Sequence, residues 1–166
     1  MMAATCGKIS RPPSAFTNSA PAAESFFAAR GKALSEEMRA ALSERVLRLL
    51  ADPELTPFFG PNSRAEVAIF GTLKRNDGSP LLVSGRIDRL AVHQTHVDVV
   101  DFKLGAGARK AYVGQLALYR AALLPIHATP VRAWIVWLDS GTAEEISSAD
   151  LDDACKERLQ TRDAAP

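Results

Sequence analysis

The sequence predicts an α/β domain, a mixed central β-sheet flanked by helices, in the order α-β-β-β-α-β-α. Three observations lead there. Residues 65–74, 81–92 and 97–103 carry strand patterns separated by turn residues. Residues 109–124 show helical spacing and stop at Pro125. Residues 131–138, Val-Arg-Ala-Trp-Ile-Val-Trp-Leu, are nearly all apolar, as expected of a strand buried in a sheet. Three successive strands, a helix and a further strand imply a mixed sheet with helices on its faces.

Composition bounds the possibilities. A chain of 166 residues, 47% hydrophobic and 23% charged, is long enough for one domain with a core. No apolar run is long enough to cross a membrane, and the N-terminus lacks the apolar core of a secretory signal. Two distant cysteines, Cys6 and Cys155, suggest neither a disulfide framework nor a zinc or iron–sulfur site. A cytoplasmic location and no membrane partner are the expectations. The net charge of +1 hides an asymmetry: residues 64–132 hold 10 basic and 5 acidic side chains, whereas residues 133–166 hold 3 basic and 8 acidic. The positive excess falls on the central strands and suits a polyanionic ligand.

Taken in order, residues 1–31 lack periodicity and carry Pro12, Pro13 and Pro21, so they read as a disordered leader ahead of a domain over 32–160. Residues 33–51 read as a helix, with Ser35 as N-cap and Glu36 and Glu37 in the first turn. Its stripe is Met38, Leu42, Val46, Leu49 and Leu50, and Asp52-Pro53 ends it. Asn76-Asp77-Gly78-Ser79-Pro80 is a turn between the first two strands. Residues 104–108 read as a flexible loop, Asp139-Ser140-Gly141 as a turn, and 148–160 as a helix capped by Ser148. The acidic 144–157 stretch reads as a solvated helix face, and residues 161–166 as a frayed tail.

The hairpin over 83–103 concentrates the chemistry. Asp101 and Lys103 share one face of their strand, because side chains alternate. A two- or four-residue loop centred between Gln94 and Thr95 sets Asp88 opposite Asp101 and Arg86 opposite Lys103. Two carboxylates about 5 Å apart repel unless a cation lies between them or one is protonated. A hard divalent cation such as Mg²⁺ suits Asp88, Asp101 and a backbone carbonyl. Lys103 beside it could orient or deprotonate a water, or offset charge at a phosphoryl transition state. The alternative is a surface ion pair of Asp88 with Arg86 or Arg89 and a solvated Lys103. On the following helix Tyr112, Gln115, Leu116, Tyr119 and Leu123 form one stripe. Gln115 is its one fully polar member and needs a partner: a lysine, a water, a DNA phosphate or a backbone carbonyl. His93 and His96 flank the turn, as a metal pair or as exposed turn residues; Trp134 and Trp137, of opposite parity, cover both faces of the sheet.

Gly85-Arg-Ile-Asp88-Arg, Asp101-Phe-Lys103 and Gln115-Leu-Ala-Leu-Tyr119 resemble motifs II, III and the QxxxY helix of PD-(D/E)xK nucleases, most nearly the RecB-like branch. Phe59-Gly-Pro-Asn-Ser-Arg-Ala-Glu66-Val and residues 131–139 are similar to the C-terminal nuclease domain of AddA-type helicase–nucleases, which repair double-strand breaks. The resemblance implies a restriction-endonuclease-like core and hydrolysis of DNA phosphodiesters with Mg²⁺, or Mn²⁺, as cofactor. It implies Asp88 and Asp101 as metal ligands, Lys103 and Gln115 as further catalytic residues, and Tyr119, Glu66 and Arg86 as supporting or DNA-binding residues. DNA is the implied substrate, and an AddB-like subunit or helicase part the implied partner. The sequence departs from the family in one element: where a helix should offer a glycine and, four residues on, a metal-binding histidine, it has Gly31 and Ser35. Leu104-Gly105 replaces the usual Thr-Asn, and no G-x-x-x-x-G-K-[ST] loop occurs. The chain therefore resembles a detached, N-terminally shortened nuclease end of a larger enzyme. The competing expectation is a degenerate, non-catalytic module that binds DNA or a partner subunit.

Overall fold

A computed structural model of the chain describes residues 19–105 and 109–160. Two compact units divide at Asp52/Pro53. In the first, helix α1 covers Ser19–Arg30 and helix α2 covers Glu36–Ala51. The sequence reading had no element over 19–30; residues 1–18 of the expected leader lie outside the described residues. Gly31 follows α1 because a Cβ there would lie 2.7 Å from the Phe27 carbonyl oxygen. Ser35 caps α2 as expected: its hydroxyl accepts from the Met38 N–H at 3.2 Å. The stripe of α2 is not a buried one; Met38, Leu42 and Val46 are exposed.

The second unit holds five strands in sequence order: β1 (Ser63–Lys74), β2 (Pro80–Val92), β3 (Val97–Lys103), β4 (Val131–Trp137) and β5 (Thr142–Ile146). Only β3 and β4 pair in parallel; every other neighbour is antiparallel. Helix α3 (Arg109–Leu123) makes the crossover that a parallel pair needs. Helix α4 (Ser148–Gln160) packs against α3. The turn between β1 and β2 uses the expected cluster: Gly78 takes φ 84°, and the Asp77 carboxylate accepts from the Ser79 N–H at 3.0 Å.

Strand alternation sorts the core into two faces. Val97, Val99 and Ile135 join Val113, Leu116 and Ala117 of α3 and Leu151 of α4. On the other face Trp134 meets Phe58, and Phe102 stacks on Phe59, both from a short 3₁₀-helix at Thr56–Phe59. Trp137 meets Tyr112 of α3, so the two tryptophans cover opposite faces as their parity predicts. The fold is the mixed, restriction-endonuclease-like α/β architecture expected.

Two local expectations are corrected. Glu144 and Glu145 lie on β5, not on a helix face; they bind Arg109 of α3 at 2.6 Å and Arg132 of β4 at 3.0 Å. Their carboxylates hid an edge strand, because its outward positions are polar. The last helix is capped by Ser147, whose hydroxyl accepts from the Asp150 N–H at 3.1 Å, and Ser148 is its first residue. The loop residues 106–108 and the tail 161–166 lie outside the described residues.

Candidate active site

The β2–β3 hairpin has the expected register at its turn. Pairs run from Val92↔Val97 to Arg89↔Val100. The His93 N–H donates to the His96 carbonyl at 2.9 Å, leaving Gln94 and Thr95 as a two-residue loop. Toward the open end the strands part. Asp88 is not paired on the β3 ladder; instead its Oδ2 accepts the Phe102 N–H at 2.9 Å, a side chain standing in for a backbone acceptor. Ile87 and Leu90, three residues apart, pack with the same core, so the alternation of β2 breaks between them. The β1–β2 ladder skips the same place, passing from Ala65↔Arg89 to Val67↔Ile87. The omitted partner is Glu66, whose φ of 55° is a left-handed value that a non-glycine residue adopts at a cost of about 1–3 kcal/mol. Strained backbone thus lies opposite Asp88 on the neighbouring strand.

This break corrects one expectation. Arg86 does not oppose Lys103. It pairs with Ala68 on β1, and its guanidinium reaches Glu66 at 3.1 Å on an exposed surface. The ladder that would have set it across from Lys103 has already ended at Arg89.

Asp88, Asp101 and Lys103 do converge. Asp101 is 3% exposed, and Lys103 Nζ lies 2.6 Å from its Oδ2. That contact is an ion pair. Asp101 is held above the usual carboxylate range: burial is the main cause, Lys103 opposes it, and the neighbouring Asp88 adds to it. The lysine ammonium lies 4.9 Å from the centre of the Tyr112 ring, a cation–π contact that fixes its position. Two carboxylates, one of them buried and short of donors, are the hard oxygen set that a divalent cation takes. The residues present therefore fit such an ion, which Asp88 and Asp101 would hold.

Helix α3 supports the site from one face. Gln115 Nε2 donates to the Tyr119 hydroxyl, one turn on, at 2.9 Å. Its partner is therefore none of those expected from the sequence. Tyr119 is 7% exposed and presses on Gly85 of β2. A Cβ at Gly85 would meet the Tyr119 oxygen at 2.1 Å, so only glycine allows the helix this close to the strand that carries Asp88. The QxxxY pair and the glycine of Gly85-Arg-Ile-Asp88 are two sides of one contact.

The comparisons agree with this architecture. A family profile described as the PD-(D/E)XK nuclease superfamily matches residues 10–165. The chain belongs to the PD-(D/E)XK nuclease superfamily. A solved structure from Eubacterium rectale, named "Putative exonuclease", is similar with a TM-score of 0.54 at 12% identity, over 86% of this chain and 64% of that one. At that identity the likeness is one of fold. This PD-(D/E)XK chain thus spans less than two thirds of that relative's length. The solved structure of SSO0001 overlaps 84% of this chain and 70% of its own at 15% identity, but its TM-score of 0.39 carries no argument. No curated protein matches the chain.

Two features of this PD-(D/E)XK domain went unread in the sequence. Helical spacing marks Tyr112 only as a member of the α3 stripe, yet its ring lies under Lys103. Asp98 was passed over, although an acid between Val97 and Val99 in an apolar strand is as costly to bury as Asp101. It is 2% exposed and accepts from the Trp134 indole at 2.8 Å. Among the described residues no helix is long and apolar enough to cross a membrane.

Proposed function

We propose that this chain is a metal-dependent deoxyribonuclease domain that hydrolyses phosphodiester bonds as an exonuclease in double-strand break repair. The observation that carries the proposal is the convergence of Asp88, Asp101 and Lys103 where β2 and β3 part. Mg²⁺, with Mn²⁺ as a substitute, is the proposed cofactor; bound by Asp88 and Asp101, it would supply Lewis-acid polarisation of the phosphate and counter-charge. Lys103, fixed between Asp101 and Tyr112, is placed to donate to the attacking water or to a phosphoryl oxygen as charge develops there. The Gln115–Tyr119 pair acts at one remove, by locking α3 against Gly85 and so setting the strand that carries Asp88. Glu66 and Arg86, exposed beside the site, are the proposed contacts to DNA backbone and neighbouring loops. DNA as substrate also suits the positive balance of residues 64–132. The resemblance to AddA-type enzymes suggests an AddB-like subunit or a helicase part as partner.

The test is digestion of linear DNA by the purified chain with Mg²⁺, with EDTA, and with Asp101→Ala. Cleavage that needs Mg²⁺ and is lost in the variant supports the reading. Intact DNA in every Mg²⁺ and Mn²⁺ condition sinks it for this chain. One observation favours a second reading, a non-catalytic module: Ser35, in the place of the family's histidine, is committed to capping α2. Retained DNA binding without cleavage is the outcome that selects it.

A further inference from the structure

The β2–β3 turn carries a second cluster that the proposed nuclease reaction does not use. His93 Nε2 and His96 Nε2 both point at Asp98 Oδ2, at 3.0 and 3.2 Å. The two imidazole rings stack with centroids 4.4 Å apart and planes at 24°. One ligand atom from each residue falls within 4.8 Å of the others. Ligand atoms around a tetrahedral zinc, with bonds near 2.0–2.1 Å, are separated by roughly 3.3 Å. The two nitrogen–oxygen distances are already close to that separation.

Three further features suit an ion better than a simple hydrogen-bonded pair. His93 Nε2 is buried yet makes no aligned hydrogen bond, despite its short distance to Asp98. His96 Nε2 hydrogen-bonds Asp98 Oδ2 at 3.2 Å and its Nδ1 lies 2.9 Å from the Thr95 hydroxyl; the tautomer that donates from Nδ1 to Thr95 exchanges the Asp98 bond for an Nε2 lone pair that a cation takes. Asp98 Oδ1 is turned outward from the cluster by the Trp134 indole N–H at 2.8 Å and by Arg132 at 3.4 Å, which holds Oδ2 toward the histidines. The histidine side chains are 28% and 24% exposed, so an ion can enter and a solvent molecule can complete the coordination.

We propose that His93, His96 and Asp98 form a transition-metal site, of zinc type, that clips the β2–β3 turn and is separate from the Asp88–Asp101 site. Imidazole nitrogens select ions such as Zn²⁺, Co²⁺ or Ni²⁺, whereas the all-oxygen set of Asp88 and Asp101 selects Mg²⁺ or Mn²⁺. Asp98 and Asp101 are three residues apart on β3, so the two sites face opposite sides of the sheet. The site's role is structural: it ties the turn to Trp134 and Arg132 of β4 and so holds the register that leads to Asp88.

Metal-free full-length chain is titrated with ZnCl₂ and, separately, NiCl₂ by calorimetry, in an Asp101→Asn background that removes the other site. One equivalent is expected to bind, and Tm to rise by about 5–10 °C at a hundredfold excess over Kd. Trp134 supplies a local signal: Ni²⁺ is expected to quench its fluorescence in a Trp137→Phe chain. His93→Gln and His96→Gln should each weaken binding at least about tenfold, with far-UV circular dichroism unchanged, and Trp134→Phe about tenfold. The proposal is overturned if the Asp101→Asn chain binds neither ion, or if the folded His93→Gln/His96→Gln double variant binds as tightly as its parent. None of these readouts is DNA cleavage, so an inactive nuclease would leave the result standing, and an active one would not rescue it.

Discussion

The two ends of the β2–β3 hairpin each bury one aspartate, and they treat it oppositely. At the turn, Asp98 Oδ1 is supplied by the Trp134 indole and the Arg132 guanidinium, while its Oδ2 lies beside two imidazoles. At the open end, Asp101 faces a second carboxylate, with one ammonium between it and net repulsion. Both are about equally buried, at 2% and 3% exposed. Burial therefore does not mark a reactive group; the balance of donors to acceptors around it does. A saturated carboxylate stabilises its surroundings. An undersupplied one is kept at a cost, and that cost needs a functional return.

The contrast is sharpest where the two ends are broken in turn. Lys103→Ala removes the ammonium at the open end and should lower DNA cleavage on the order of 10²–10³-fold, measured as initial rates in Mg²⁺ below the variant's own Tm, which should also fall because Asp101 loses its counter-charge. A loss of less than about tenfold would mean that Lys103 only balances Asp101. At the turn, Asp98→Ala leaves the Trp134 indole without its acceptor and should cost about 2–3 kcal/mol of stability, read by urea unfolding. Gly85→Ala should cost about 1–3 kcal/mol, because the added methyl group drives Tyr119 off the strand; an unchanged Cm would show that α3 can move without penalty.

The smallest effect tests the cost itself. Asp101 has a raised pKa in the fold, so its ionised form is disfavoured there relative to the unfolded chain. In EDTA, its contribution opposes folding above the folded-state pKa and is relieved as pH falls through it. Asp101→Asn should therefore raise Tm at neutral pH by a few degrees, with the gap to wild type closing in acid. A gap that widens in acid would mean Lys103 more than compensates the burial.

Much of this was readable from local pattern. The stop at Pro125, the turn at Asn76–Pro80 and the two-residue loop at Gln94-Thr95 depend on near neighbours, and all three stand where expected. The β5 strand was not readable, because Glu144 and Glu145 on an edge mimic a solvated helix. Nor was the partner of Gln115, since a stripe at helical spacing does not say which member turns inward to which.

By itself the sequence determined the order of elements from β1 to β4 and the register at the turn, and it put Asp88, Asp101 and Lys103 on one hairpin, because alternation and spacing are properties of the chain alone. The tertiary structure alone decided how those residues meet. It ended the β2–β3 ladder at Arg89, turned the Asp88 carboxylate onto the Phe102 N–H, and sent Arg86 to Glu66. The physical reason is that strand pairing is cooperative between chain segments distant in sequence. The helix pressed against the sheet is part of that context: Tyr119 of α3 reaches Gly85 on the strand that carries Asp88. The same rule set Trp134, 36 residues further along the chain, against Asp98 beside His93 and His96.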